Sequence, residues 1–120
     1  MILVDTSVWV DHLRRRHSTL VTRLERGEVA CHPFVIGEIC LGSLRHRDEV
    51  LSLLSELPVA PVVRHEDAIA LVDQRGLGGQ GIGWVDVHLL ASALVGRLGL
   101  WTLDRRLADV ARALQVSIVG

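Results

Sequence analysis

Lysine is absent from this chain: all 13 basic residues are arginine. That gap removes several chemistries at once. Gly76, Gly78, Gly79, Gly81 and Gly83 crowd into one short stretch. A phosphate-cradling loop, however, ends in Gly-Lys-Ser/Thr, and no lysine exists to complete it. A phospho-acceptor signalling module also places acids at strand ends, but receiver domains keep a lysine beside the phosphorylated aspartate. Haloacid-type phosphatases fail on a different absence, since Ser7 stands two residues after Asp5 where they require a second aspartate. No G-x-S-x-G elbow occurs. Six histidines form no H-E-x-x-H. The two cysteines, Cys31 and Cys40, make neither C-x-x-C nor a Cys/His zinc spacing, so two small buried side chains in a reducing compartment are expected. No apolar run approaches the roughly 18–20 residues that span a bilayer. The basic run Arg14-Arg15-Arg16 follows the first apolar residues instead of preceding them, the reverse of a secretory signal, and the expected location is the cytoplasm.

What is present suits one packed domain over residues 1–120. Apolar residues make up 49% of the chain and mean hydropathy is +0.36, which argues against disorder. A net charge of −1 excludes a polycation. Local arginine groups at Arg14 to Arg16, Arg45 with Arg47, and Arg105-Arg106 remain candidates for phosphate contact.

Ile2-Leu3-Val4 reads as a buried strand ending abruptly in Asp5-Thr6-Ser7, and a helix follows with Val8, Trp9 and Leu13 turned inward. A second helix carries Leu20, Val21 and Leu24 and stops at Gly27. Val29 to His32 reads as a strand closed by Pro33. The pattern predicts helices over Phe34–Leu44, from Asp48 as cap through Leu57, from Glu66 or Asp67 through Val72, over Trp84–Leu94, and from Leu107 to Leu114. Strands are expected at Leu100–Leu103 and Val116–Val119, with Val59–Val63 as an edge segment because of Pro61. Strands alternating with helices imply a mainly parallel sheet covered on both faces, an α/β fold.

Four acids stand out. Asp5 and Asp104 each follow an apolar strand, where open α/β sheets place their functional crevice. Glu38 lies within VIGEICLG, and Asp86 lies between Val85 and Val87. A carboxylate with apolar neighbours must be paired, protonated or on a metal. Four in one cleft would raise one another's pKa values until a divalent cation neutralised them. An all-oxygen donor set suits Mg²⁺ or Mn²⁺ over zinc. Each acid taken alone is also a plausible helix cap or arginine partner. Trp9, Trp84 and Trp101 lie in apolar stretches and are expected in the core. The histidines, His32 and His88 included, are expected at the surface or just behind the site. His88 should face away from Asp86, two positions earlier on the same helix.

The segments ILVDTSVWVDHLR, HPFVIGEICLG, GIGWVDVHLLASAL and LWTLDRRLADVA resemble, in order, the blocks of PIN-domain ribonucleases of the VapC type, and the likeness runs along essentially the whole chain. The resemblance implies a three-layer PIN-like sandwich and a catalytic metal site built from Asp5, Glu38, Asp86 and Asp104. Asp5 and Asp86 would be the firmest ligands, and Asp104 the position of a second or weaker metal. Thr6, Ser7 and Thr102 match hydroxyl positions that bond these carboxylates or bound water. The implied activity is Mg²⁺-dependent RNA cleavage by the toxin of a type II toxin–antitoxin pair, with Mn²⁺ able to substitute. The implied partners are an RNA substrate, a cognate antitoxin in a toxin–antitoxin hetero-oligomer, and a second copy in a homodimer. A catalytically silent PIN fold serving as a binding module is the alternative.

Overall fold

The structure is a computed structural model that describes residues 1–119. Strand β1 (Ile2–Val4) leads into α1 (Thr6–Arg15) and α2 (Ser18–Glu25), then β2 (Val29–Ala30). Helices α3 (Pro33–Leu41), α4 (Arg47–Ser55), α5 (His65–Arg75) and α6 (Trp84–Gly96) follow, before β3 (Gly99–Trp101) and α7 (Arg105–Ala113). The sheet order is β2-β1-β3 and both pairings are parallel, with Leu3 opposite Ala30 on one side and Leu100 on the other. Single parallel bridges extend each edge, Cys31 to Val59 and Leu100 to Ile118.

All three residues of β1 are buried, although successive side chains point to opposite faces of a sheet. Both faces are therefore covered, which is the three-layer α/β arrangement the sequence implied. Leu3, Val4, Val8, Leu20, Leu89 and Leu100 lie at the centre of the core with no exposed surface.

Several boundaries move for local reasons. The strand expected through His32 ends at Ala30, because His32 instead caps α3, its Nδ1 accepting from the Phe34 N–H at 3.0 Å. Helix α3 stops at Leu41 and not at Leu44, where Gly42 leaves the helix in an extended conformation. Asp48 does not cap α4. His46 occupies the N-cap position in a left-handed conformation without a side-chain cap bond, and Asp48 sits in the first turn, where its charge still meets the positive helix end. Helix α5 likewise begins at His65, ahead of Glu66 and Asp67. The final strand shrinks to the single bridge at Ile118. Leu13 and Trp84, expected inside, are 38% and 40% exposed. Cys40 is only half-buried, whereas Cys31 is buried and its thiol is pushed up to about 11 by desolvation.

Candidate active site

The sheet delivers Asp5 at the carboxyl end of its central strand, and the backbone turns there into α1. Asp5 is 6% exposed and caps that helix, Oδ1 accepting from the Thr6 N–H at 2.7 Å. Oδ2 accepts from Ser7 Oγ at 2.8 Å and from Thr102 Oγ1 at 2.6 Å. Both hydroxyls are themselves acceptors, Ser7 from the Leu103 N–H and Thr102 from the Asp104 N–H, each at 3.0 Å. Their protons are thus directed at Asp5, and a buried carboxylate with three donors is satisfied without a counter-charge beside it.

The remaining acids arrive by different routes. Thr6 Oγ1 donates to Glu38 Oε1 at 2.6 Å and ties α3 to the start of α1. Glu38 is exposed, so the apolar run around it in sequence does not translate into burial; its neighbours Val35 and Ile39 take the core face. Asp104 is exposed and caps α7, Oδ1 accepting from the N–H groups of Arg106 at 2.9 Å and Leu107 at 3.3 Å. Asp86 occupies the first turn of α6, with Oδ2 accepting from the Gly83 N–H at 3.0 Å. Its pKa is raised, first by desolvation and then by the charges of Asp5, Asp104 and Glu38, against the lowering effect of the Gly83 bond. The four acids therefore share one field. Three of them sit at helix N-termini, whose partial positive charge offsets some of the repulsion.

The oxygen-only donor set, with one carboxyl pushed toward protonation first by burial and then by its acidic neighbours, fits a hard divalent cation. Among the described residues no three acids or histidines converge on one point. A Mg²⁺-type ion needs less than that, because it is usually held by one or two carboxylates and keeps several waters.

His32, Phe34, Trp84 and His88 form a ring cluster between α3 and α6, where the histidines were expected at the surface or just behind the site. His32 and His88 are buried. His88 packs edge-on against Phe34 and Trp84, each 4.8 Å away between centroids. Burial lowers the pKa of both, that of His32 to about 4, with His88 adding to the effect on His32. The signal was available in part: His32 stands at a strand-to-helix turn, and His88 is embedded in an otherwise apolar helix. An open groove of about 680 Å³ runs beside Glu38 and includes Val10, Arg14, Ile39, Leu44 and Val50 in its lining.

Residues 2–113 match the family described as PIN domain. The chain belongs to the PIN-domain family. Within it the kinship is with the VapC type. This PIN domain is 54% identical over 124 aligned positions to Ribonuclease VapC32 from two strains of Mycobacterium tuberculosis, with 98% of this chain and 100% of the relative covered. Among solved structures, the PIN domain superposes on a chain of the structure titled "Structure of FitAB bound to IR36 DNA fragment" with a TM-score of 0.64. That match covers 99% of this chain and 94% of the other at 18% identity, and it shows a shared fold.

Proposed function

We propose that this PIN domain is the endoribonuclease toxin of a type II toxin–antitoxin pair, dependent on Mg²⁺ or Mn²⁺. The observation that carries the reading is 54% identity, across 98% of the chain, to a curated ribonuclease of the VapC type. Asp5 and Asp86 would hold the cation, with Glu38 and Asp104 completing or extending the set. When bound, the cation supplies activation of water and neutralisation of charge on the phosphodiester. The chain's own residues do the positioning. Ser7 and Thr102 fix Oδ2 of Asp5, Thr6 orients Glu38, and the Gly83 N–H sets the rotamer of Asp86. Asp104, on the rim, is assigned to the side of the departing 3′-oxygen. Rigid carboxylates of this kind need little rearrangement as charge develops, which is where catalysis of phosphodiester cleavage gains most.

The working form is a homodimer in the cytoplasm. Among the described residues no helix is long and apolar enough to cross a membrane. A cognate antitoxin segment would lie along the groove beside Glu38, apolar side chains toward Ile39 and Leu44 and a basic side chain toward Asp5 and Asp86. The deciding experiment is digestion of RNA by purified wild-type and Asp86→Asn protein, with EDTA and with added Mg²⁺. Cleavage only by the wild type and only with the metal is expected. Undiminished cleavage by Asp86→Asn would remove that residue from the ligand set.

A further inference from the structure

Arg106 lies in the first turn of α7, and its backbone N–H bonds to the carboxylate of Asp104. Its side chain crosses to another element. A Cβ placed on Gly81 would stand 2.8 Å from Arg106 Nη1, 3.0 Å from Cδ and 3.4 Å from Cζ, so the guanidinium and its stem rest on the bare backbone of Gly81. Gly81 is two residues from Gly83, whose N–H holds Asp86. Arg106 therefore spans the two segments that carry Asp86 and Asp104.

Left free beside so many carboxylates, an arginine would be expected to fold onto one of them. The ion pairs among the described residues engage Arg15, Arg23, Arg47, Arg64 and Arg112, and Arg106 is in none of them. Other arginines are unpaired too, but none of them fills the space above a glycine next to the site. The seat on Gly81 holds a planar fork of N–H donors at the rim while keeping it off the acids. Such a fork matches phosphate oxygens in a bidentate way, and prior immobilisation lowers the entropy lost on binding.

We propose that Arg106, seated on Gly81, grips a backbone phosphate flanking the scissile bond and so positions the RNA strand over the acids. The proposal rests on the ribonuclease reading above. Arg106 is a positioning residue in it: it contributes to binding and leaves the chemical step to the carboxylates.

The geometry supplies its own test. Gly81 (φ +79°) and Gly79 (φ +75°) would impose similar backbone strain on an alanine, yet a Cβ on Gly79 meets nothing within 4 Å. Gly79→Ala thus reports strain alone, whereas Gly81→Ala adds displacement of Arg106. Binding of a fluorescently labelled single-stranded oligoribonucleotide of mixed sequence is measured in the Asp86→Asn background across a salt series, with melting temperature as the fold control. Arg106→Gln should weaken binding about tenfold, the scale of a lost charge-assisted hydrogen bond. It should also flatten the slope of log K against log salt by about 0.7, the value for one phosphate contact on a single strand. Arg106→Lys should recover part of the affinity. Gly81→Ala should resemble Arg106→Gln, the double variant should be no worse than either, and Gly79→Ala should bind like the parent. In cleavage of total RNA with Asp86 intact, Arg106→Gln should raise KM and leave kcat within about twofold, as expected for loss of uniform binding. An unchanged salt slope in Arg106→Gln, where the parent binds RNA, overturns the proposal and leaves the ribonuclease reading standing. Equal losses in Gly79→Ala and Gly81→Ala overturn the seat. Absence of RNA binding and cleavage by the wild type removes both readings. Weakened antitoxin binding with RNA binding unchanged assigns Arg106 to the protein partner instead.

Discussion

Thr102 Oγ1 donates to Asp5 Oδ2 at 2.6 Å, joining two residues 97 positions apart. Because the Asp104 N–H occupies the acceptor side of that hydroxyl, Thr102 also sets where α7 begins. Thr102→Val removes both bonds at nearly constant volume. It should reduce kcat about tenfold or more and lower the melting temperature, since a hydrogen bond to a charged group is worth about 1.5–3 kcal/mol and this one is partly buried. Thr102→Ser should retain most of both. Initial rates and thermal melts of the two variants check this, and full activity in Thr102→Val would show that the bond is incidental.

Asp5→Asn and Asp86→Asn should both abolish cleavage yet move stability in opposite directions. Asp86 is repelled by three other carboxylates, and an asparagine can still accept from the Gly83 N–H. Asp86→Asn should therefore melt a few degrees above the parent in EDTA. Asp5 is different: three donors point at its buried carboxylate, and an amide group turns one oxygen into a competing donor. Asp5→Asn should melt lower. Paired melts in EDTA decide it, and a rise for Asp5→Asn would contradict this account of its hydrogen bonds.

Six histidines make a metal-free mechanism the nearest chemical rival, with the RNA 2′-hydroxyl as nucleophile and a 2′,3′-cyclic phosphate as product. Under the proposed metal-dependent reading water is the nucleophile, and the products are a 5′-phosphate and a 3′-hydroxyl. A single 2′-deoxy substitution at the cut site should still be cleaved. Replacing His12 by Gln should cost far less than Asp5→Asn. End-group analysis is the direct assay, and cyclic-phosphate ends formed in EDTA would sink the metal reading.

His32 predicts an acid-labile fold. Its imidazole is buried, Nδ1 holds the Phe34 N–H, and burial keeps the folded-state pKa at about 4 against an ordinary 6.5. Between those values the unfolded chain binds a proton that the folded chain refuses, so stability rises with pH. The contribution is complete above pH 6.5 and is lost progressively as pH falls toward about 4. His88, with a pKa lowered by burial, acts in the same direction. His32→Asn keeps a cap acceptor and removes the titration. Its melting temperature should vary less than the parent's between pH 7 and pH 4.5, and equal slopes in the two proteins would refute the assignment.

The sequence made the backbone of the site legible wherever one residue type signals one physical role. An apolar run halted by Asp5-Thr6-Ser7 marked β1 and the cap of α1, and a long apolar helix opened near Asp86. It misled where the signal depended on neighbours far along the chain. Glu38 sits in an apolar run yet is exposed, because helical periodicity assigns burial to Val35 and Ile39. Thr102, expected within a strand through Leu103, lies just beyond β3 and bonds to Asp5, a contact that no local pattern encodes. His32 caps a helix where serine, threonine, aspartate or asparagine is the usual choice, so its burial carried no familiar signature. Arg106 and Gly81 read separately as a charge run and a flexible loop, and only the fold puts one on the other.

The sheet order has a consequence for when the surroundings of Asp5 are completed during synthesis. The central strand is the first to be made, and the strand beside it that leads to Thr102 is among the last. Asp5 meets its second hydroxyl donor, Thr102, only once the chain beyond residue 102 has emerged and β3 has docked. A product that stops before that segment retains the Thr6 N–H and the Ser7 hydroxyl on Asp5 but lacks Thr102. The environment of Asp5 is thus completed by the chain's long return to β3, and it is sensitive to any change that keeps β3 from docking beside β1.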